Sequence, residues 1–118
     1  MNLLANDWKK QARGLALVVL ENVFEEGAYS NITLNQELKQ TQLSQKDKSL
    51  VTEIVYGTVA RKITLEWYLA HYIEDRDKLD PWVYYLLMLS LYQLLYLDKM
   101  PAHAVVNDAV NIAKKSWQ

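Results

Sequence analysis

Residues 81–97, PWVYYLLMLSLYQLLYL, carry no charge and no glycine. Asp80 stands immediately before them as a helix cap, and Pro81 takes the first helical position, where its missing N–H costs nothing. The run is too long for an ordinary strand and is apolar nearly all round, so it predicts a buried helix at the centre of the fold. A membrane-spanning helix needs about 20 apolar residues. This run is shorter and is bracketed by Asp80 and Asp98 rather than by basic residues, so a core helix is the expected reading.

Working outward, the other segments repeat the helical pattern. From about Asp7 to Glu26, the residues Trp8, Ala12, Leu15, Ala16, Val19, Leu20 and Val23 recur in steps of three and four, and Gly27 follows as a stop. A short segment is expected from about Asn31, a candidate N-cap, to Gln40, with Leu34 and Leu38 on one face. A third opens at Ser44, whose hydroxyl and Asp47 form a capping signal, and continues through Leu50, Ile54 and Val55. Gly57 lies inside that pattern and points to a close helix crossing. A fourth starts near Thr64, with Leu65, Leu69, Tyr72 and Ile73 on one side, and ends in the charged loop EDRDKLD, residues 74–80. The sixth runs from about Ala102 to Trp117, with Val105, Val106, Ala109, Ile112 and Ala113 inward. With three glycines, two prolines and short connections, the expected architecture is all-α, a compact bundle of about six helices in one domain, residues 1–118.

The same residues exclude several chemistries. Cysteine is absent, so there is no disulfide framework and no thiolate nucleophile or metal ligand. No secretory signal leads the chain, and a cytoplasmic location is expected. His71 and His103 are the only histidines and are far apart. No phosphate loop, dinucleotide fingerprint, metalloprotease motif or nucleophile elbow occurs. The acids cluster at Glu21, Glu25 and Glu26 and again at Glu74, Asp75, Asp77 and Asp80, and read as solvated surface. No catalytic, cofactor-binding or metal-ligating residue is therefore assigned.

Charge is distributed more tellingly than its net value of -1. Lys9, Lys10 and Arg13 give residues 1–20 a local excess of two positive charges, and Lys46, Lys48, Arg61 and Lys62 do the same for residues 44–62. Residues 63–85 carry three excess negative charges. Lys9, Lys10 and Arg13 span about one helical turn and can share a face. If the two basic segments pack together, they form a patch for a phosphate backbone. A solvated charged face has the same composition, so both readings stand. Most of the aromatics fall on core stripes; Tyr29 and Tyr56 are the exceptions available to stack on bases.

Three stretches go beyond periodicity: ARGLALVVLENV at 12–23, DKSLVTEIVYGTVARKITLEWYL at 47–69 and LMLSLYQLLYLDKMPAHAVVNDAVNIAKK at 87–115. In this order they resemble the signature helices of the NusB-like domain. The resemblance implies a helical fold that binds RNA partly through basic residues at the start of its first helix, here Lys9, Lys10 and Arg13. It also implies one of two settings. One is a stand-alone transcription antitermination factor. The other is the N-terminal domain of a ribosomal-RNA cytosine-5 methyltransferase of the Sun/Fmu (RsmB) type, which the Pro101-Ala102-His103 variant resembles more. A helical protein-interaction module that never touches RNA is a third possibility.

Arg61 follows Gly57 one place later than the family's recurrent arginine, with Ala60 in that place. The family also continues into further helices, so the chain is expected to be truncated before them and to expose an apolar face on its last two helices. A homodimer through that face is expected. In the methyltransferase setting the partners would be small-subunit ribosomal RNA and the protein's own C-terminal catalytic domain, which would hold S-adenosylmethionine. No cofactor is expected in this chain.

Overall fold

The computed structural model describes residues 8–97 and 101–116, without the side chains of 106, 110 and 113–116. Of the expectations above, those on Asp7, Asp98, Val106, Ala113 and Trp117 lie outside what is described. Among the described residues there are six α-helices, one 3-10 turn and no strand. The helices are α1 (Ala12–Glu26), α2 (Ser30–Gln40), α3 (Gln45–Ala60), α4 (Lys62–Ala70), α5 (Pro81–Tyr96) and α6 (Ala102–Ser116), with the turn at Arg76–Lys78. The all-α expectation holds.

The local signals account for several boundaries. Ser44 caps α3, its Oγ accepting the Asp47 N–H at 3.2 Å. Gly27 closes α1, and Pro81 stands at the start of α5. Other boundaries move. Asn31 lies inside α2, whose cap position is Tyr29. The fourth helix starts at Lys62 rather than near Thr64, so Arg61 alone separates it from α3. The first described helix begins at Ala12, because extended backbone at Gln11 interrupts the pattern. Gly14 makes this break possible. The Trp8 carbonyl oxygen lies 2.0 Å from where a Cβ on residue 14 would sit, so the preceding chain folds directly onto the first turn of α1.

The core is organised around α1, which packs against α2, α3, α5 and α6. Every residue from Ala12 to Leu20 is buried. Periodicity indicated one apolar stripe on this helix, yet Leu17 and Val18, off that stripe, are buried too. The helix expected at the centre, α5, is buried on one side through Tyr84, Tyr85, Met88, Leu89, Tyr92 and Gln93. Its other side leaves Leu87, Leu94 and Leu95 more than 40% exposed, at 41%, 46% and 43%. Its apolar composition is real, but no described element covers that side. Tyr72, expected inward beside Leu65 and Leu69, is also exposed; it follows the end of α4, where the helical phase no longer applies.

Gly57 performs the crossing its position suggested. The phenol end of Tyr92 on α5 lies 2.0 Å from where a Cβ on Gly57 would be, so any side chain there would have to displace the Tyr92 ring or part the two helices.

Candidate nucleic-acid interface

The seven expected RNA-contact residues separate into three groups. Lys9 and Lys10 occupy the turn ahead of α1. Lys9 Nζ lies 3.0 Å from Glu37 Oε1 of α2. Together with Leu15 of α1, Glu37 and Gln40 of α2, and Thr41, Gln42 and Leu43 of the α2–α3 loop, the two lysines line a part-polar, part-apolar cleft of about 530 Å³. Lys46 and Lys48 stand on the first turn of α3, directly beyond the same loop. Lys48 lines a second cleft on that side. The two basic segments thus meet around the α2–α3 loop, and Lys39, exposed in the last turn of α2, joins them. Sequence reading missed Lys39 because Glu37 two residues away cancels its charge in any running sum. The positive end of the α3 dipole points into the same region.

Arg13 does not share this surface. It is 8% exposed and turned into the core. Its Nε donates to Gln93 Oε1 of α5 at 2.6 Å, and its Nη1 pairs with Asp108 of α6. Gln93 is held in turn by its own Nε2 donating to the Leu89 carbonyl at 3.0 Å. The expectation of one face with Lys9 and Lys10 fails because the helix breaks at Gln11, which gives Arg13 a different direction from the two lysines. Arg13 instead ties α1, α5 and α6 together. Its stem packs among apolar neighbours and its planar fork satisfies two acceptors at once, a task suited to arginine.

Arg61 and Lys62 form the third group, at the far end of α3, about 24 Å from its start at 1.5 Å per residue. The Arg61 guanidinium stacks 4.0 Å from the Tyr96 ring centroid. Lys62 Nζ lies 5.3 Å over the Phe24 ring and 3.8 Å from Glu66. These contacts brace the α3–α4 joint against α1 and α5.

The Lys62 side of this joint, beside Phe24 and Glu66, is also the acidic one. Tyr85 Oη donates to Glu25 and accepts from Arg76 Nη2 at 3.2 Å, and Arg76 stacks 4.0 Å over Tyr84. Burial raises the Tyr85 hydroxyl's pKa well above the ordinary tyrosine range, and the hydrogen bond to Glu25 adds to the shift. The exposed acids Glu74, Asp75, Asp77 and Asp80 surround this network. The molecule therefore has a lysine-rich end at the start of α1 and an acidic end at its finish.

A third surface is apolar. Leu79, Trp82, Leu87, Leu91 and Leu94 on one side, with Val105 and Ala109 of α6 on the other, line an open groove of about 830 Å³. This is the apolar face expected on the last two helices. Among the described residues, no cluster of three or more histidines and acids is placed to hold a metal ion. No described helix is long and apolar enough to cross a membrane.

Residues 10–117 match the NusB family. Among curated relatives, the chain is 43% identical over 106 residues to a protein of Bacillus subtilis named probable ribosomal RNA small subunit methyltransferase B, covering 90% of this chain and 24% of that protein. It is 38% identical over 105 residues to a protein of the same name from Synechocystis, covering 87% and 23%. It is 32% identical over 102 residues to ribosomal RNA small subunit methyltransferase B of Proteus mirabilis, covering 84% and 23%. The chain thus spans about a quarter of the length of these relatives. With nearly all of its helical core inside the matched region, this chain belongs to the NusB family.

Proposed function

We propose that this chain is the RNA-binding unit of a ribosomal-RNA cytosine-C5 methyltransferase and holds small-subunit ribosomal RNA for a catalytic domain that lies outside it. The observation that carries this reading is the 43% identity, over 90% of the chain, to a protein named as a small-subunit ribosomal-RNA methyltransferase. The lysines around the α2–α3 loop supply the surface. Lys9, Lys10, Lys46 and Lys48, with Lys39, meet phosphates, and the amide side chains of Gln40 and Gln42 offer both donors and acceptors between them. Arg13 is left out of this set because it is buried and engaged. Arg61 braces Tyr96 of α5, and Lys62 braces the acidic end beside Glu66, where a polyanion is repelled.

The chain's own part is positioning. Holding the RNA raises the effective concentration of its target base at a tethered active site. S-adenosylmethionine does not fit the described residues: they contain no strand and no glycine-rich strand-to-helix turn to cradle it, and no step of methyl transfer is assigned to them. The apolar groove between α5 and α6 is assigned to polypeptide that follows Gln118 in a protein as long as the relatives. The last described helix, α6, forms one of its walls, which places the chain beyond it beside the groove. The place of action is the cytoplasm.

The test is binding of a small-subunit ribosomal-RNA hairpin across a salt series. Affinity should fall steeply with salt, and each lysine-to-glutamate change at positions 9, 10, 46 or 48 should lower the logarithmic salt slope by about 0.7–0.9. Charge reversal at Lys62 should leave the slope unchanged. A slope insensitive to the four lysines would overturn the assignment. In sedimentation, a monomer that dimerises as concentration rises would give the groove to a second copy of the chain instead.

A further inference from the structure

The second cleft, beside α3, has features that the phosphate-binding lysines do not explain. It measures about 560 Å³ and runs along α3 from Gln45 to Gly57. Its inner end is aromatic. Gly57 leaves room for the phenol end of Tyr92, which is 7% exposed and lies across the glycine. Tyr56, in contrast, is 41% exposed at the cleft, with a large ring area in contact with water. Its polar lining is mixed. Lys48 contributes a cation and Glu53 a carboxylate. The hydroxyls of Ser49 and Thr52 donate to the carbonyls of Gln45 and Lys48, at 3.1 and 2.9 Å, and keep lone pairs to accept. A flat ring against the aromatic end, a hydrogen-bond donor toward the carboxylate and a phosphate toward the lysine together describe one nucleotide.

We infer that this cleft is a subsite for a single unstacked nucleobase bearing an exocyclic amino group, within the RNA strand whose phosphates lie on the lysines of the α2–α3 loop. The base stacks on Tyr56 beside Tyr92, its amino group donates to the Glu53 carboxylate, and its phosphate meets Lys48. Carboxylates accept from exocyclic amino groups, which uracil lacks; its single N3–H is flanked by two carbonyl oxygens that repel a carboxylate, so Glu53 sets the preference. Lys48 lines this cleft and sits one turn from the lysine-rich end, which joins the subsite to the phosphate track. The inference rests on the RNA-binding reading and adds base selection to it.

The test uses the full 118-residue chain and fluorescently labelled ten-nucleotide RNAs: oligouridine, and oligouridine with one central guanosine, adenosine or cytidine. Tyr56→Ala should weaken binding of the amino-bearing RNAs on the order of tenfold and leave the salt slope unchanged. Tyr56→Phe should retain the affinity, because the stacking face is kept. Glu53→Ala should weaken the amino-bearing RNAs relative to oligouridine until the four affinities are equal, where the unaltered chain favours the amino-bearing bases. Thermal melting equal to the unaltered chain's establishes that the exposed-site variants are folded. If RNA binds with a lysine-dependent salt slope and Tyr56→Ala has no effect, the subsite is overturned while the phosphate reading stands. If Tyr56 matters but the four RNAs bind alike, the role of Glu53 is overturned. If the unaltered chain binds no RNA at low salt, both readings fail.

Discussion

Helices α1 and α5 are both strongly apolar, and they are used in opposite ways. Over residues 12–20, α1 is covered on every side, so that even Arg13 and Gly14 lie among its buried residues. α5 has the longer uncharged run but shows water a row of leucines. The difference lies in their neighbours. Four helices pack against α1. α5 is packed by α1, α3, α4 and α6, yet these leave the side lined by Leu87, Leu91 and Leu94 open as a groove. Apolar composition measures what a helix is able to bury, while the arrangement of its neighbours sets how much it does bury.

Substitutions can break this comparison. The largest effect is expected at Leu17 of α1, which is fully buried. Leu17→Ala should destabilise the chain by about 3–4 kcal/mol in denaturant titration, the cost of lost burial plus a cavity. A loss under about 1 kcal/mol would show that α1 is not the centre of the core. Arg13→Ala should follow, at about 3 kcal/mol, because it leaves Gln93 and Asp108 without their partner and loosens α6. Arg13→Met should cost less than Arg13→Ala if the remaining loss is one of packing rather than charge.

Next comes the crossing of α3 and α5. Gly57→Ala places a methyl group inside the position of the Tyr92 ring and should cost about 2 kcal/mol, with part of it recovered when Tyr92 is shortened to leucine. The smallest effect is expected on the open side of α5. Leu94→Ala should change the stability of this chain by no more than about 0.5 kcal/mol. A large loss there would mean that the groove is filled in solution, by a second copy or by rearranged chain.

One contact between the ends of the two helices titrates. Tyr85 of α5 donates its hydroxyl proton to Glu25 of α1, and its folded pKa lies above the value near 10 of an unfolded tyrosine. As pH rises past about 10, the unfolded chain releases this proton while the folded chain keeps it, so the unfolded state binds fewer protons and stability falls. Melting temperatures measured from pH 9 to 11 should decline, and Tyr85→Phe should make the decline shallower. An unchanged slope in that variant would remove Tyr85 from the cause.

How legible each feature was depended on the distance over which it is determined. The Ser44 cap, the Gly27 stop, Pro81 at the start of α5 and the Gly57 crossing all follow from one or two residues and the stereochemistry of a helix turn, and all were readable. The candidate site was readable in part. Lys9 and Lys10 line a cleft with the α2–α3 loop, Lys46 and Lys48 follow that loop on α3, and Tyr56 is exposed. Arg13 was misjudged and Lys39 missed, while Arg61 and Lys62 stand against Tyr96 and Phe24, away from that loop. Charge counted along the chain cannot distinguish a cation in water from one turned inward to a carboxylate ninety-five residues away.

The amino-acid pattern was sufficient for the all-helical class, most helix boundaries, the family likeness and the presence of more apolar surface than six helices cover, because these depend on period, capping and composition within a few turns of chain. Packing alone assigned the centre to α1 rather than α5, turned Arg13 from the surface into a pin between three helices, separated a basic end from an acidic one and laid Tyr92 of α5 across Gly57 at the cleft that Tyr56 and Glu53 line. Each of these rests on contacts between residues distant in sequence, and the break at Gln11, which redirects Arg13 away from Lys9 and Lys10, exists because the backbone at Trp8 can lie against a glycine.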